Sequence, residues 1–159
     1  MPEIEELIKQ PIEKVMIRSV VCMRIDQSLE SMVAVLRDKG ISGVPVVDRT
    51  GKVCGVATEY DLVRFISGRA GMRIRLPIEL FALDRNERLD ALRLLEELKS
   101  ARVSDIMTSP AITVPPSMQV RDVIALMVKN EINRIPIVEN GRPVGIVTRA
   151  DIMFALSAG

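Results

Sequence analysis

The sequence states one pattern twice. Displacing the chain by 91 residues sets Met16 on Met107, Ala34 on Ala125, Ile41 on Ile132, Pro45 on Pro136 and Val47 on Val138. One residue is lost in the next turn, after which Gly51 meets Gly141, Gly55 meets Gly145, Thr58 meets Thr148 and Asp61 meets Asp151. A repeat of this length is one supersecondary unit that stacks on its neighbour to bury a shared core. Whatever one copy forms, the other is expected to form too.

The apolar periodicity beneath these identities sets the elements. Leu29, Met32, Val33 and Leu36 follow the i, i+3, i+4, i+7 spacing of one helix face, and Val120, Val123, Ile124 and Met127 occupy the matching places. Ser28 and Ser117 are the expected N-caps. Strands are predicted before each helix at 20–25 and 111–114, after it at 44–47 and 135–138, and again at 53–58 and 144–148, across Gly-containing turns. Each copy thus reads β-α-β-β-α, with a second helix opening straight after the last strand. The expected fold class is mixed α/β, of the α+β kind, with an extra linker helix. That helix is predicted at 86–100, with Ala91, Leu94, Leu95 and Leu98 on one face that needs a partner. The expected organisation is an N-terminal helical extension (1–11), repeat one (12–66), a linker loop and helix (67–102) and repeat two (103–156).

Composition narrows the function classes. The 159 residues are 48% hydrophobic and 27% charged, as in an ordinary globular protein. A net charge of +1 argues against a nucleic-acid partner. No apolar run suits a membrane span, and the acidic start MPEIEELIKQP reads as a short helix rather than a signal peptide, so a cytoplasmic location is expected. Histidine is absent, which removes the commonest general base and metal ligand, and no catalytic or metal-binding residues are assigned. Cys22 and Cys54 read as buried thiols.

Thr-x-x-Asp after a strand has two readings. Thr58 and Thr148 suit N-caps, with Asp61 and Asp151 returning a bond to the cap. The same geometry offers a ligand site: helix N–H groups and a Thr hydroxyl for a phosphate, and a carboxylate for the vicinal hydroxyls of a ribose.

The duplicated pattern resembles the CBS domain, two of which form a Bateman module. The resemblance rests on IEKVM (12–16) and VSDIM (103–107), on ISGVP (41–45) and INRIP (132–136), and on GVATEYDL (55–62) and GIVTRADI (145–152), with Ala57 a mild departure. It implies a pseudo-twofold pair of repeats whose clefts bind adenosine derivatives, commonly assembled as a homodimer that regulates another protein. It places ribose at Asp151 and Asp61, and phosphate at Thr148 and Thr58. The adenine would meet the backbone and walls of Ile132, Ile135 and Pro136, of Ile41, Gly43, Val44 and Pro45, and of Ser19, Val20 and Val21. AMP or ADP is the favoured ligand, with ATP also admitted; no catalytic cofactor is expected. An S-adenosylmethionine sensor and a dimerisation module with empty clefts are the alternatives.

The copies differ in charge. Arg134 and Arg149 in repeat two correspond to Gly43 and Glu59 in repeat one. Guanidinium favours a phosphate and carboxylate repels it, so the Asp151 site is expected to hold the phosphorylated ligand better. Arg69, Arg73 and Arg75 of the linker suit either a solvated loop or an anion contact.

Overall fold

The computed structural model describes residues 2–68 and 85–158. The chain divides into two compact units. The Asp151 unit comprises Met1–Cys22, Val47–Cys54 and Pro110–Gly159; the Asp61 unit comprises Met23–Val46 and Gly55–Ser109. These do not coincide with the repeats. Each unit takes the body of one repeat and the lead-in of the other, and the Asp151 unit also takes Val47–Cys54, the turn between β2 and β3 with their adjoining ends.

In the Asp61 unit, β1 (Met23–Arg24) leads to α2 (Leu29–Lys39), β2 (Gly43–Val47), β3 (Val53–Thr58) and α3 (Glu59–Ser67). Its sheet has the order β1-β2-β3. The predicted strand at 20–25 is reduced to two residues, because a bond from Val20 N–H to Arg18 O bends the chain just before it. Ser28 caps α2 as expected, its hydroxyl accepting from Ser31 N–H. Leu29, Met32 and Leu36 are buried, whereas Val33 is 39% exposed, so the core face is narrower than the periodicity implied. The linker helix α4 (Arg85–Ser100) packs on α2 and buries Leu94 and Leu98. Leu95, expected on the same face, is 42% exposed.

In the Asp151 unit, α5 (Val120–Asn130), β4 (Arg134–Glu139), β5 (Arg142–Thr148) and α6 (Arg149–Ser157) repeat the plan. The antiparallel β4–β5 register sets Arg134 opposite Thr148 and Pro136 opposite Ile146, with a bulge at Ile137/Val138. The strand predicted at 111–114 survives only as a parallel bridge from Val114 to Ile137. The N-terminal helix α1 (Pro2–Lys9) packs on α5 and α6. The cap expected at Ser117 moves to Gln119, the residue that the 91-residue offset matches to Ser28. Pro115 and Pro116 hold the chain in a turn closed by Met118 N–H and Pro115 O, so the helix begins only after Gln119. Gln119 makes no side-chain cap, and its buried Oε1 has no partner among the described residues.

The exchanged lead-ins complete both units. Ile17 and Ile146 trade backbone bonds of 2.8 and 3.0 Å, and Val56 and Thr108 trade bonds of 3.0 and 2.9 Å. Earlier in each lead-in, Ile12 N–H donates to Met118 O and Val103 N–H donates to Gln27 O. Ile12 and Val103 follow Pro11 and Arg102 into short 3-10 turns and are wholly buried. The repeated Met and Gly residues meet here. A Cβ on Gly55 would lie 2.6 Å from Met107 Sδ and 2.9 Å from Thr108 O; one on Gly145 would strike Met16 Sδ and lie 2.9 Å from Met16 Cγ. Glycine in these strands therefore marks a close approach, not flexibility.

Cys22 and Cys54 are half-buried rather than buried, and neither is in a disulfide. Burial pushes both thiols above their ordinary value, with the Asp48 charge adding to the effect at Cys54. A thiol so held stays protonated and weakly nucleophilic at neutral pH.

Two outcomes follow for stability. Gly55→Ala should lower the urea-unfolding free energy by about 1–3 kcal/mol, and by more than Gly145→Ala. At Gly55 a backbone oxygen must shift, whereas at Gly145 the flexible Met16 side chain takes most of the clash. The two ends of α5 should be improvable. Glu131 sits at φ 54 where α2 has Gly40 at φ 62, and Gln119 stands where α2 has its serine cap. Gln119→Ser and Glu131→Gly should each stabilise by about 0.5–1 kcal/mol in the same assay.

Candidate functional site

Each strand-to-helix junction passes directly from sheet into helix. Thr148 ends β5 and is the N-cap of α6; its hydroxyl accepts from Asp151 N–H at 3.2 Å. Asp151 Oδ2 accepts from Thr148 N–H at 2.7 Å and from its hydroxyl at 2.7 Å. Thr58 and Asp61 repeat this box at 3.3, 2.8 and 2.9 Å. The capping reading thus holds in both copies. In each carboxylate one oxygen takes both bonds, and no hydrogen bond to Oδ1 is formed among the described residues. Both Asp residues are half-buried.

A backbone bond ties the two motifs of each unit together. Arg149 N–H donates to Asn133 O, and Glu59 N–H donates to Ser42 O, both at 2.9 Å. Arg149 also sends Nε to Ile132 O at 3.3 Å, which holds its guanidinium beside the 132–134 segment. Arg134 lies directly across the ladder from Thr148. Thr148 is therefore flanked by two arginines. Thr58 is followed by the exposed Glu59 instead.

These bonds change the expected donor inventory of the helix end. The N–H groups of Thr148, Arg149 and Asp151 are all engaged within the protein, which leaves Ala150 N–H as the open donor of the first turn among the described residues. Sequence reasoning missed Ala150, Asn133 and Ser42, because backbone donors and acceptors carry no side-chain signature.

The adenine-wall candidates fall into distinct environments. Ile135 and Val44 are wholly buried in core, and Pro136, Pro45 and Gly43 are buried too. Ile132 and Ile41 are half-buried. Pro136 O accepts from Val114 N–H at 3.3 Å. Ser19 is exposed and Val20 and Val21 are half-buried, just after the Ile17–Ile146 bridge. Ser19, Val20, Val21, Ile132, Arg134, Ile135, Pro136, Thr148, Arg149 and Asp151 belong to the Asp151 unit; Ile41, Gly43, Val44, Pro45, Thr58 and Asp61 belong to the Asp61 unit. Arg69, Arg73 and Arg75 lie outside the described residues. Among the described residues no group of three His, Cys, Asp or Glu side chains is placed to hold a metal ion. No helix among them is long and apolar enough to cross a membrane.

Comparison with known proteins agrees with this architecture. The family model for the CBS domain matches residues 12–68 and 103–158. An uncharacterized protein of Methanocaldococcus jannaschii, MJ1426, is 34% identical over 96% of this chain and 90% of its own length. Other relatives are longer, and this chain spans 44, 48 and 54% of three of them. Among solved structures, the CBS domain pair of protein MJ0100, in complex with 5-methylthioadenosine and S-adenosyl-L-methionine, superposes with a TM-score of 0.70 at 21% identity, covering 94% of this chain and 97% of that one. CBSX2 from Arabidopsis thaliana, in complex with AMP, gives a TM-score of 0.70 at 22% identity with the same coverage. With two matched domains, the repeated motifs and a shared fold, the chain belongs to the CBS domain family and carries a tandem CBS pair.

Proposed function

We propose that this CBS pair is a cytoplasmic, non-catalytic regulatory module that binds an adenine nucleotide and passes the occupancy to a partner protein. The observation that carries the reading is the Asp151 site. There, a carboxylate with one unengaged oxygen stands beside a helix N-terminus flanked by Arg134 and Arg149. The carboxylate oxygen suits a ribose diol; the guanidinium groups and Ala150 N–H suit a phosphate. AMP or ADP is the favoured ligand, with ATP the larger variant. The AMP complex of CBSX2 supports the choice of ligand. The absence of histidine from the sequence supports a binding role over a hydrolytic one.

A second reading concerns the Asp61 site. Glu59 replaces the arginine, which favours an adenosine without phosphate, of the class of S-adenosylmethionine or 5-methylthioadenosine. The MJ0100 complex supports this class. The two sites of one chain would then answer to different metabolites, and the partner would sense whichever conformations the ligands favour.

Homodimerisation is part of the proposal. On α6, Met153 and Phe154 are 63% and 75% exposed; on α3, Tyr60 and Val63 are 67% and 60% exposed. Apolar side chains of this size left to water are what a second copy would cover.

Titration calorimetry with AMP, ADP, ATP and S-adenosylmethionine tests the reading. Asp151→Ala should weaken AMP binding by about tenfold or more, as expected for loss of a charge-assisted hydrogen bond, and by more than Asp61→Ala. Arg149→Glu should weaken AMP while leaving adenosine little changed. No heat with any adenosine ligand would overturn the proposal and leave a dimerisation scaffold with empty sites.

A further inference from the structure

The methionine-over-glycine contact is made twice, but its two sulfurs do not meet water equally. Met16, over Gly145, is 8% exposed; Met107, over Gly55, is half-buried. Met23, Met32 and Met127 are buried in core, Met118 is half-buried, and Met153 stands on α6 at 63% exposure. Oxidation of a thioether follows the access of an oxidant to its sulfur. Among the described residues Met153, Met107 and Met118 are therefore the reachable methionines. Met107 is the one of these three that pins a lead-in to a strand.

That contact has no place for a sulfoxide oxygen. A Cβ on Gly55 would lie 2.6 Å from Met107 Sδ, 3.1 Å from its Cγ and 2.9 Å from Thr108 O. The sulfur thus covers bare backbone, beside a carbonyl oxygen. A sulfoxide is polar and needs a hydrogen-bond donor where a thioether needs none. The two N–H groups of the adjoining bridge are already spent: Thr108 N–H on Val56 O at 2.9 Å, and Val56 N–H on Thr108 O at 3.0 Å. The oxidised side chain must turn out to water, and Gly55 has no side chain with which to fill the space it leaves. The bridge then loses its cover. It lies two residues before Thr58, the end of β3 and the N-cap of α3.

We propose that Met107 is a modification site for a peroxide-class oxidant, and that its sulfoxide frees the 107–108 segment from β3. The sulfur attacks one peroxide oxygen; the S–O bond forms as the O–O bond breaks. The other oxygen leaves as hydroxide and takes the proton from the transferred one, giving water. Sulfur loses two electrons and the peroxide gains them. A thiol-dependent reductase reverses the step, removing the oxygen as water while two thiols form a disulfide. Met16 makes the same contact in the Asp151 unit but is closed to the oxidant, so the Asp61 unit is the one that responds. The inference does not depend on the adenosine-ligand reading.

The test treats the full chain with dilute hydrogen peroxide and follows each methionine by peptide mass mapping, with amide hydrogen exchange read in parallel. Met107 should oxidise about tenfold faster than Met16, with Met153 faster still. As Met107 converts, the Val56 and Thr108 amides should lose about tenfold in protection, while those of Ile17 and Ile146 keep theirs. Methionine sulfoxide reductase should restore the lost protection. Met107→Leu, which keeps an apolar side chain over Gly55 and has no sulfur, should make both amides insensitive to peroxide. Equal oxidation of Met107 and Met16 overturns the proposal, as does full Met107 conversion with protection unchanged. Loss of protection in Met107→Leu on the same treatment also overturns it, because another methionine is then responsible. Should that variant not fold, the order of events in wild type decides. Protection that survives Met153 and Met118 oxidation and falls with Met107 supports the assignment; protection that falls before Met107 converts refutes it.

Discussion

The close approach of a methionine to a glycine, made once in each unit, is the contact on which the rest depends. Met16 lies over Gly145 and Met107 over Gly55, each carried by a lead-in segment that belongs to the other repeat. The missing side chain lets the lead-in come within backbone hydrogen-bonding range of the last strand, and Ile17–Ile146 and Thr108–Val56 then pair. With that strand held on both sides, its final residue is delivered to a fixed place as the N-cap of the following helix. The geometry of Thr148 and Thr58 is thus downstream of packing several residues away.

Much of this was legible in the sequence because it is written in side chains. The helices are announced by apolar spacing, the strand-to-helix junctions by Thr-x-x-Asp, and the family by the combination of motifs. The parts that were not legible are those carried by backbone or by long-range choice. Nothing in GIVTRADI says that Arg149 N–H is engaged by Asn133 O, so the helix end looked richer in open donors than it is. Periodicity marked Val33 and Leu95 as core, but burial was decided by how neighbouring elements cover each face. Ser117 looked like a cap by residue type, while the offset of the repeat pointed to Gln119; geometry followed the repeat, and chemistry did not. The repeated methionines and glycines were visible, yet their pairing across repeats could not be read from either copy alone.

The two units share their wiring and differ in charge. Both carry the same box, the same bond from the helix start to the segment before the second strand, and the same lead-in pairing. The charges differ at two matched places, Arg134 against Gly43 and Arg149 against Glu59. Of these, Arg149 and Glu59 are exposed, where a charge contributes little to stability.

The exchange of lead-ins also bears on where such a chain could have come from. A single repeat has no lead-in of its own to close its last strand, and the edge left bare would invite pairing with another molecule. A one-repeat ancestor could have completed itself only by borrowing that segment from a second copy, and lending its own in return. Its smallest folded form would then have been a pair of interdependent molecules.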